Sequence, residues 1–195
     1  MAKPLERRVP KTPLIFTIVG GAAGVGKSRL LDEIKDAEKL STGTFFSSHM
    51  SLASRDDVRN NDWSLFEQAV TDDLKNGATE ALSKGRLTIL DTHFAAKLNG
   101  RNYRIGLKNK HIHDLASHIA SFANANGKQL RIMIVLINCD VHDLLDRRRS
   151  DKTRNRELIP SDCYNGLRQN WMFGKQYFME AVRAKNMLPN GRCEV

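Results

Sequence analysis

The sequence predicts an α/β protein in which a parallel sheet of about five strands is flanked by helices on both faces. An apolar, β-branched run over 14–19 leads directly into a glycine-rich loop. Two further apolar runs, over 87–90 and 132–137, alternate with segments whose apolar residues recur at helical spacing. Strands that alternate with helices in this way form parallel sheets joined by right-handed crossovers. We therefore expect a three-layer fold, built as a single domain over 13–195.

The first part of the chain predicts two strands and two helices. The first strand covers 14–19, and the first helix is expected to run from about Lys27 to Leu40. Phe45 and Phe46 indicate a short second strand, on the evidence of two aromatic residues alone. A longer amphipathic helix follows and ends at Gly85. Its apolar face is formed by Leu65, Phe66, Ala69, Val70, Leu74, Ala78, Ala81 and Leu82.

The middle of the chain adds a strand, a basic segment and a helix. The run over 87–90 predicts a short strand, and the basic segment 97–110 has the composition of a loop. The next helix stops near Asn126 and Gly127. Its apolar positions are Leu115, Ile119, Phe122 and Ala123.

The most apolar run, over 132–137, predicts a central strand that is buried on both faces. A short helix containing Leu144 and Leu145 is expected after it, and a long helix that starts at Pro160. Residues 192–195 have the composition to begin a last strand.

Charge and composition limit the class of protein. The 195 residues carry a net charge of +9, from 31 Lys and Arg against 22 Asp and Glu, so an anionic partner such as a nucleotide, RNA or DNA is expected. The three cysteines, Cys139, Cys163 and Cys193, have no C-x-x-C spacing, which favours a reducing, cytoplasmic setting. No apolar run is long enough to span a bilayer. Residues 1–12 are expected to form a flexible basic arm.

A glycine-rich loop follows the first strand and carries the most specific motif. Gly21, Gly26, Lys27 and Ser28 have the spacing G-x-x-x-x-G-K-[ST] of a phosphate-binding P-loop, or Walker A motif. Glycine lets the backbone turn its N–H groups toward a polyphosphate, and the helix start adds a positive dipole end. The lysine reaches the β- and γ-phosphates of ATP, and the serine can ligate Mg²⁺. The predicted nucleotide-binding residues are Gly21, Ala23, Gly24, Val25, Gly26, Lys27, Ser28 and Arg29.

Three further clusters are typical of a small phosphotransferase. Asp91 and His93 follow a strand directly, where a parallel sheet opens into its ligand crevice. His93 could act as an acid or base, line a pocket, or serve as a structural hydrogen-bonding residue. The arginine-rich segment 147–156 could neutralise a transferred phosphoryl group, and its alternative is a solvated helix end. Arg55 and Arg59 are either phosphate ligands or a surface pair beside a carboxylate.

In combination, these motifs resemble the adenylate kinases of archaeal type and their relatives among the P-loop nucleoside monophosphate kinases. The resemblance runs from about Leu14 to Met179. Besides the P-loop it rests on three stretches. These are Arg-Asp-Asp-Val-Arg at 55–59, Leu-Asp-Thr-His at 90–93 with Lys97 four residues after the histidine, and Asp-Lys-Thr-Arg-Asn-Arg at 151–156.

The resemblance implies an ATP-dependent phosphotransferase whose acceptor is a nucleoside monophosphate or a similar small phosphorylated molecule. Arg55 and Arg59 then belong to the acceptor side, together with Lys97, and His93 is a further candidate for that pocket. At 98–107 the chain keeps the family's glycines and a tyrosine and lacks its prolines, so the identity of the acceptor stays open.

The resemblance also implies the catalytic and metal-binding residues. Lys27 acts on the transferred phosphate, and Asp91 holds Mg²⁺ through water together with the P-loop serine. Arg148, Arg154 and Arg156 resemble the arginines of a short lid, at about 147–160, that closes over the triphosphate. Archaeal relatives further imply a homo-oligomer, a trimer.

One alternative stays open at this stage. The charge of +9 and the extra basic residues over 97–110 are also consistent with a P-loop ATPase or a polynucleotide kinase that binds RNA or DNA through a basic surface.

Overall fold

The computed structural model describes residues 12–52, 58, 62–97, 103–152 and 158–186. In this part of the chain the strands are β1 (Leu14–Gly20), β2 (Ala37–Ser41), β3 (Leu87–Asp91), β4 (Ala95–Lys97), β5 (Tyr103–Ile105) and β6 (Leu130–Leu136). The helices are α1 (Lys27–Glu33), α2 (Thr42–His49), α3 (Glu67–Ser83), α4 (Asn109–Ala125), α5 (Val141–Ser150) and α6 (Pro160–Asn186). A 3-10 turn at Ser64–Phe66 precedes α3.

A parallel four-stranded sheet in the order β2-β3-β1-β6 forms the centre of the fold. Val19 of β1 and Ser41 of β2 are both register partners of Asp91, the last residue of β3. Three strands therefore end at the same level, and the polar residues that follow them meet at one edge of the sheet. The predicted α/β architecture is confirmed, with four described strands in the sheet where about five were expected.

The helix predicted over 27–40 is wrong in its second half. Helix α1 ends at Glu33, because Ile34 adopts an extended backbone with φ −86° and ψ 103°. Strand β2 then pairs with β3 in parallel, which buries Leu40 and leaves Lys39 exposed. Main-chain pairing at an edge position outweighs the helical preference of the Glu and Lys residues in this segment.

The strand predicted at Phe45 and Phe46 is also wrong, because both residues lie in α2. The Ser41 hydroxyl caps this helix by accepting a hydrogen bond from the Thr44 amide at 3.4 Å. Phe46 is buried against the core. The aromatic residues therefore predicted the second strand a few positions after its observed place at Ala37–Ser41.

Strand β6 is not the central strand that its composition predicts. Within the described residues it pairs with β1 alone and lies at the end of the sheet. Ile132 and Ile134 pack on small side chains of α4 and α6, whereas the Met133 side chain on the opposite face is 43% exposed. Val135, on the same face as Met133, packs near Leu31, so the uniformly apolar run belongs to an end strand whose second face is only partly covered.

The predicted amphipathic helices are confirmed, and they bury the two faces of the sheet. Phe16 and Ile18 of β1 belong to the main core, which α3 and α4 complete. Val19 and Ile89 face the other way and pack on Leu31 of α1. Of the apolar face predicted for α3, Leu65 is an exception, because it lies in the 3-10 turn with 86% of its surface exposed.

The basic segment 97–110 contains structure where the sequence predicts a loop. Strands β4 and β5 pair antiparallel, with Ala95 opposite Ile105, and α4 begins at Asn109. The Asn170 side chain of α6 bonds both main-chain groups of Ala95, accepting from its N–H at 3.0 Å and donating to its carbonyl at 3.3 Å. Contacts with α6 therefore hold a hairpin whose strands have only three residues each.

A buried tyrosine makes the corresponding contact behind β5. The Tyr177 hydroxyl accepts from the Leu107 N–H at 2.6 Å and donates to the Leu107 carbonyl at 2.9 Å. Burial raises the pKa of this phenol well above its usual value, so it stays neutral and keeps its proton for donation. None of the described helices has the length and apolarity needed to cross a membrane.

Tyr177→Phe removes both bonds to Leu107 and leaves a buried N–H and a buried carbonyl without partners. We expect the free energy of unfolding to fall by about 1–3 kcal/mol, measured by urea denaturation. Tyr164→Phe, on the exposed side of the same helix, is the matched control and should change stability by less than about 0.5 kcal/mol. Equal losses in the two variants would contradict the role assigned to Tyr177.

Candidate active site

The phosphate loop connects β1 to α1 and depends on glycine at defined positions. Gly24 and Gly26 have φ values of 97° and 98°, in the left-handed region that favours glycine. At Gly21, with φ 154°, an added Cβ would clash with the main-chain oxygen of Ile137. The loop therefore passes too close to the end of β6 for any side chain at that position.

Lys27 is buried within the loop, with 7% of its surface exposed. Its Nζ donates to the Gly21 carbonyl at 2.9 Å and lies 3.2 Å from Nδ1 of His93. The same Nδ1 lies 2.9 Å from the Gly21 carbonyl. With a proton on Nδ1 the ring donates to Gly21, and without one it accepts from Lys27, so the two contacts of Nδ1 belong to different tautomers.

The ends of β2 and β3 bring polar side chains next to this loop. The Thr42 hydroxyl donates to the Thr92 hydroxyl at 3.1 Å, and the Thr92 amide donates to the Val19 carbonyl at 2.9 Å. Asp91 is the last residue of β3 and contributes to the wall of the cavity at the same opening. The strand-end position predicted for Asp91 is confirmed.

A cavity of about 350 Å³ joins these elements. One side is polar and is formed by the phosphate loop and the ends of β2 and β3. The other side is apolar and aromatic, with Phe46, Val58, Trp63 and Ala96. The full set of lining residues is Ala23, Gly24, Gly26, Lys27, Ser28, Arg29, Ser41, Thr42, Gly43, Phe46, Val58, Trp63, Asp91, Thr92, His93, Ala96, Gly106, Arg147 and Asp151.

The aromatic side is held rigidly. Trp63 is 3% exposed, its Nε1 donates to the Gly106 carbonyl at 3.3 Å, and its ring centre lies 6.3 Å from that of Phe46. The Arg104 guanidinium stacks on the Trp63 ring at 4.7 Å from its centre. The indole is thus fixed by the hairpin at one edge and by a cation on its face.

A buried charged cluster lies behind this wall. The Glu67 side chain is 1% exposed and pairs with Arg104 at 3.0 Å, Lys108 at 2.9 Å and His111 at 3.4 Å. Burial lowers the pKa of His111 below its ordinary value, although the Glu67 carboxylate acts in the opposite direction. Glu67 therefore fixes the guanidinium that stacks on Trp63.

Two arginines of α5 contact the phosphate loop from the opposite side. Arg147 Nη1 donates to the Val25 carbonyl at 2.6 Å, and its side chain lines the cavity. Arg148 donates from Nε and Nη2 to the Ala23 carbonyl at 3.2 and 3.1 Å, and from Nη1 to Cys163 Sγ at 3.3 Å. Arg148 thus ties the loop to α6, while Arg147 is the arginine of this pair that faces the cavity.

The structure brings together most of the predicted donor site and part of the predicted acceptor site. Lys27, Ser28, Asp91 and His93 line one cavity. Lys97, the last residue of β4, instead pairs with Asp162 of α6 at 2.7 Å. Four predicted residues lie outside the described ranges, namely Arg55, Arg59, Arg154 and Arg156.

Sequence reasoning missed several lining residues. Thr42 was missed because the sequence predicted the second strand at Phe45 and Phe46. The true end of β2, at Ser41, was therefore not recognised as a strand end. Trp63 directly follows the polar stretch over 60–62, and a large aromatic residue at that position was an available indication of a pocket wall. Arg147 could not be distinguished from its two neighbours, because helical phase decides which of them faces the loop.

Comparisons with family models and with curated protein sequences find no match. Among solved structures, a chain of the Pnkp1/Rnl/Hen1 RNA repair complex is similar, with a TM-score of 0.56 at 12% identity; the match covers 87% of this chain and 48% of that chain. This chain therefore spans about half the length of that neighbour. The likeness shows that the two chains share an α/β fold.

Two further solved structures match over most of their own length. The Deinococcus radiodurans tunicamycin resistance protein has a TM-score of 0.43 at 13% identity, with 89% of this chain and 95% of that chain covered. Shikimate kinase from Bacteroides thetaiotaomicron has a TM-score of 0.37 at 10% identity, with 89% and 97% covered.

The lowered pKa of His111 predicts a pH-dependent stability. Above about pH 6.5 the ring is neutral in both states, and as the pH falls below that value the unfolded chain takes up a proton that the folded site resists. The free energy of unfolding should therefore decrease between pH 7 and pH 5.5, and less steeply in His111→Gln. Urea titrations at several pH values measure both slopes, and equal slopes would contradict the assignment.

Proposed function

We propose that this protein is a Mg·ATP-dependent phosphotransferase whose acceptor is a nucleoside monophosphate or a similar small phosphorylated molecule. The observation that carries the proposal is the division of one cavity into two parts. The phosphate loop and Asp91 form one part, and the rigid aromatic wall of Phe46 and Trp63 forms the other. A transferase needs both parts, because donor and acceptor must meet in one water-shielded space.

The donor side fits a triphosphate with its metal ion. The Ser28 hydroxyl and the Asp91 carboxylate are hard oxygen ligands on the same cavity, which suits Mg²⁺. When bound, the ion neutralises charge on the phosphates. Lys27 exchanges its bond to the Gly21 carbonyl for phosphate oxygens, and His93 remains beside the vacated position to accept or donate at Nδ1.

The α5 arginines support transfer from the other side of the loop. Arg148 positions the loop through its two bonds to Ala23. Arg147 is close enough to the loop to approach the triphosphate directly, since it already lines the cavity. A guanidinium at that position stabilises negative charge that develops on the transferred group. Together with Arg154 and Arg156, Arg147 would belong to the proposed lid.

The acceptor side favours a molecule with a flat, apolar part. Phe46 and Trp63 form the apolar wall of this side, with 4% and 3% of their surfaces exposed, and Ser41 and Thr42 at the end of β2 offer hydroxyl groups. The apolar part of a nucleobase fits against this wall, while its sugar and phosphate extend toward the polar side. The proposed phosphate ligands there are Arg55 and Arg59.

Lys27→Ala tests the donor site. Formation of ADP from Mg·ATP is expected to rise strongly with one member of a panel that contains nucleoside monophosphates and a 5′-hydroxyl oligonucleotide, followed in a coupled assay. Lys27→Ala should lower that rate by about 10²-fold or more with an unchanged melting temperature. Lys35→Ala, an exposed lysine just after α1, is the matched control and should keep full activity.

The panel also separates the proposal from its alternatives. Slow hydrolysis that no acceptor stimulates would contradict a transferase. Stimulation by the oligonucleotide alone would favour a polynucleotide kinase.

Trp63→Phe tests the acceptor wall. The smaller ring loses contact with Phe46 and Arg104, so we expect the acceptor KM to rise about threefold or more while the KM for ATP stays unchanged. Leu65→Ala, two residues away and exposed, serves as the control for both constants. A parallel rise in both KM values would indicate that Trp63 supports the fold as a whole. That result would refute its assignment to the acceptor wall.

A further inference from the structure

We propose that the outward face of α6 binds single-stranded nucleic acid. Tyr164, Arg168, Trp171, Lys175 and Phe178 follow one another at intervals of four and three residues, so they form one stripe along the helix. We call these five residues the α6 stripe. Aromatic and basic side chains alternate along it. Binding to this face is independent of the acceptor that the cavity takes.

The aromatic residues of the α6 stripe are not used by the fold. Tyr164 is 57% exposed, Trp171 50% and Phe178 39%. The core side of the helix uses other residues, among them Leu167 and the fully buried Tyr177. Single hydrophobic residues are common on protein surfaces and need no explanation. Three large aromatic side chains along one solvent-facing line indicate a binding surface.

The charge of this face favours a polyanion. Arg168 and Lys175 are exposed, and the two carboxylates of α6 are part-buried and engaged elsewhere. Asp162 pairs with Lys97 at 2.7 Å, and Glu180 pairs with Arg183 at 2.6 Å. The stripe therefore presents cations without neighbouring exposed acids on its own helix. A second copy of the chain, with its net charge of +9, would meet like charge.

The spacing of the rings matches stacked bases. Phe178 is seven positions after Trp171, which is about 10 Å along a helix. This distance is about three base steps of 3.4 Å. Lys175 Nζ lies over the Trp171 ring at 3.7 Å from its centre, so the cation covers one face of the indole, and a base that stacks on that face displaces the ammonium toward the phosphates. Aromatic rings interleaved with cations bind single strands, whose bases are open, in preference to duplexes.

Fluorescence anisotropy with the full chain tests this proposal, using labelled oligo(dT), oligo(rU) and a duplex, each of about 15 nucleotides. Both single strands should bind more tightly than the duplex, with an affinity that falls as salt rises. The ratio of the two single-strand affinities tells whether DNA or RNA is preferred. Trp171→Ala and Phe178→Ala should each weaken binding about fivefold or more, whereas Trp171→Phe should retain most of it.

Two controls distinguish the α6 stripe from general attraction. The double variant Arg168→Gln/Lys175→Gln and the double variant Lys84→Gln/Lys128→Gln remove the same charge, and the first alone should reduce affinity strongly. Saturating Mg·ATP should leave binding unchanged, because the stripe lies outside the cavity. Circular dichroism melting confirms that each variant is folded.

Several results would overturn the proposal. Equal losses in the two charge-matched variants would indicate non-specific attraction. Displacement by Mg·ATP would place the oligonucleotide in the cavity. Absence of single-strand binding, with self-association that Trp171→Ala abolishes, would make the stripe a contact between copies of the chain.

Discussion

The packing of Phe94 between two glycines is the constraint on which the rest of the structure depends. The ring is fully buried and contacts Gly20 at the end of β1 and Gly174 in the middle of α6. A Cβ at Gly20 would come within 2.5 Å of the ring, and one at Gly174 within 2.8 Å. The strand that leads to the phosphate loop, the segment after β3 and the longest helix are therefore fixed against one another by a single side chain.

This contact determines the geometry of the site. His93 immediately precedes Phe94 and reaches the Gly21 carbonyl, and Ala95 immediately follows it and is held by Asn170. The ring also meets Tyr177 edge-on, with 5.0 Å between centres, and Tyr177 in turn holds Leu107. The phosphate loop and the hairpin that borders the aromatic wall thus share one support in α6.

The phosphate-loop side of the cavity was predictable because its determinants are local. A buried strand, the spacing of Gly21, Gly26, Lys27 and Ser28, and an acid at the end of the next apolar strand specify it within short windows of sequence. The errors lie where distant contacts decide. Strand β2 exists because β3 pairs with it, and β6 is an end strand because the chain order around β1 places it there. The composition of those two segments specifies neither of these placements.

The aromatic side of the cavity, which we propose binds the acceptor, depends on contacts that are remote in sequence, and the sequence therefore left it open. Trp63 is held by the Gly106 carbonyl and by Arg104, and Arg104 is held by Glu67 on α3. A buried carboxylate that orients a cation is stable only where several partners surround it, so these residues constrain one another. Because the cluster lies behind Trp63 and outside the phosphate loop, changes in it would reshape the aromatic wall while leaving the loop intact. Under the proposed function, the same loop would then serve different acceptors, and the identity of the acceptor would follow from Phe46, Trp63 and their supports.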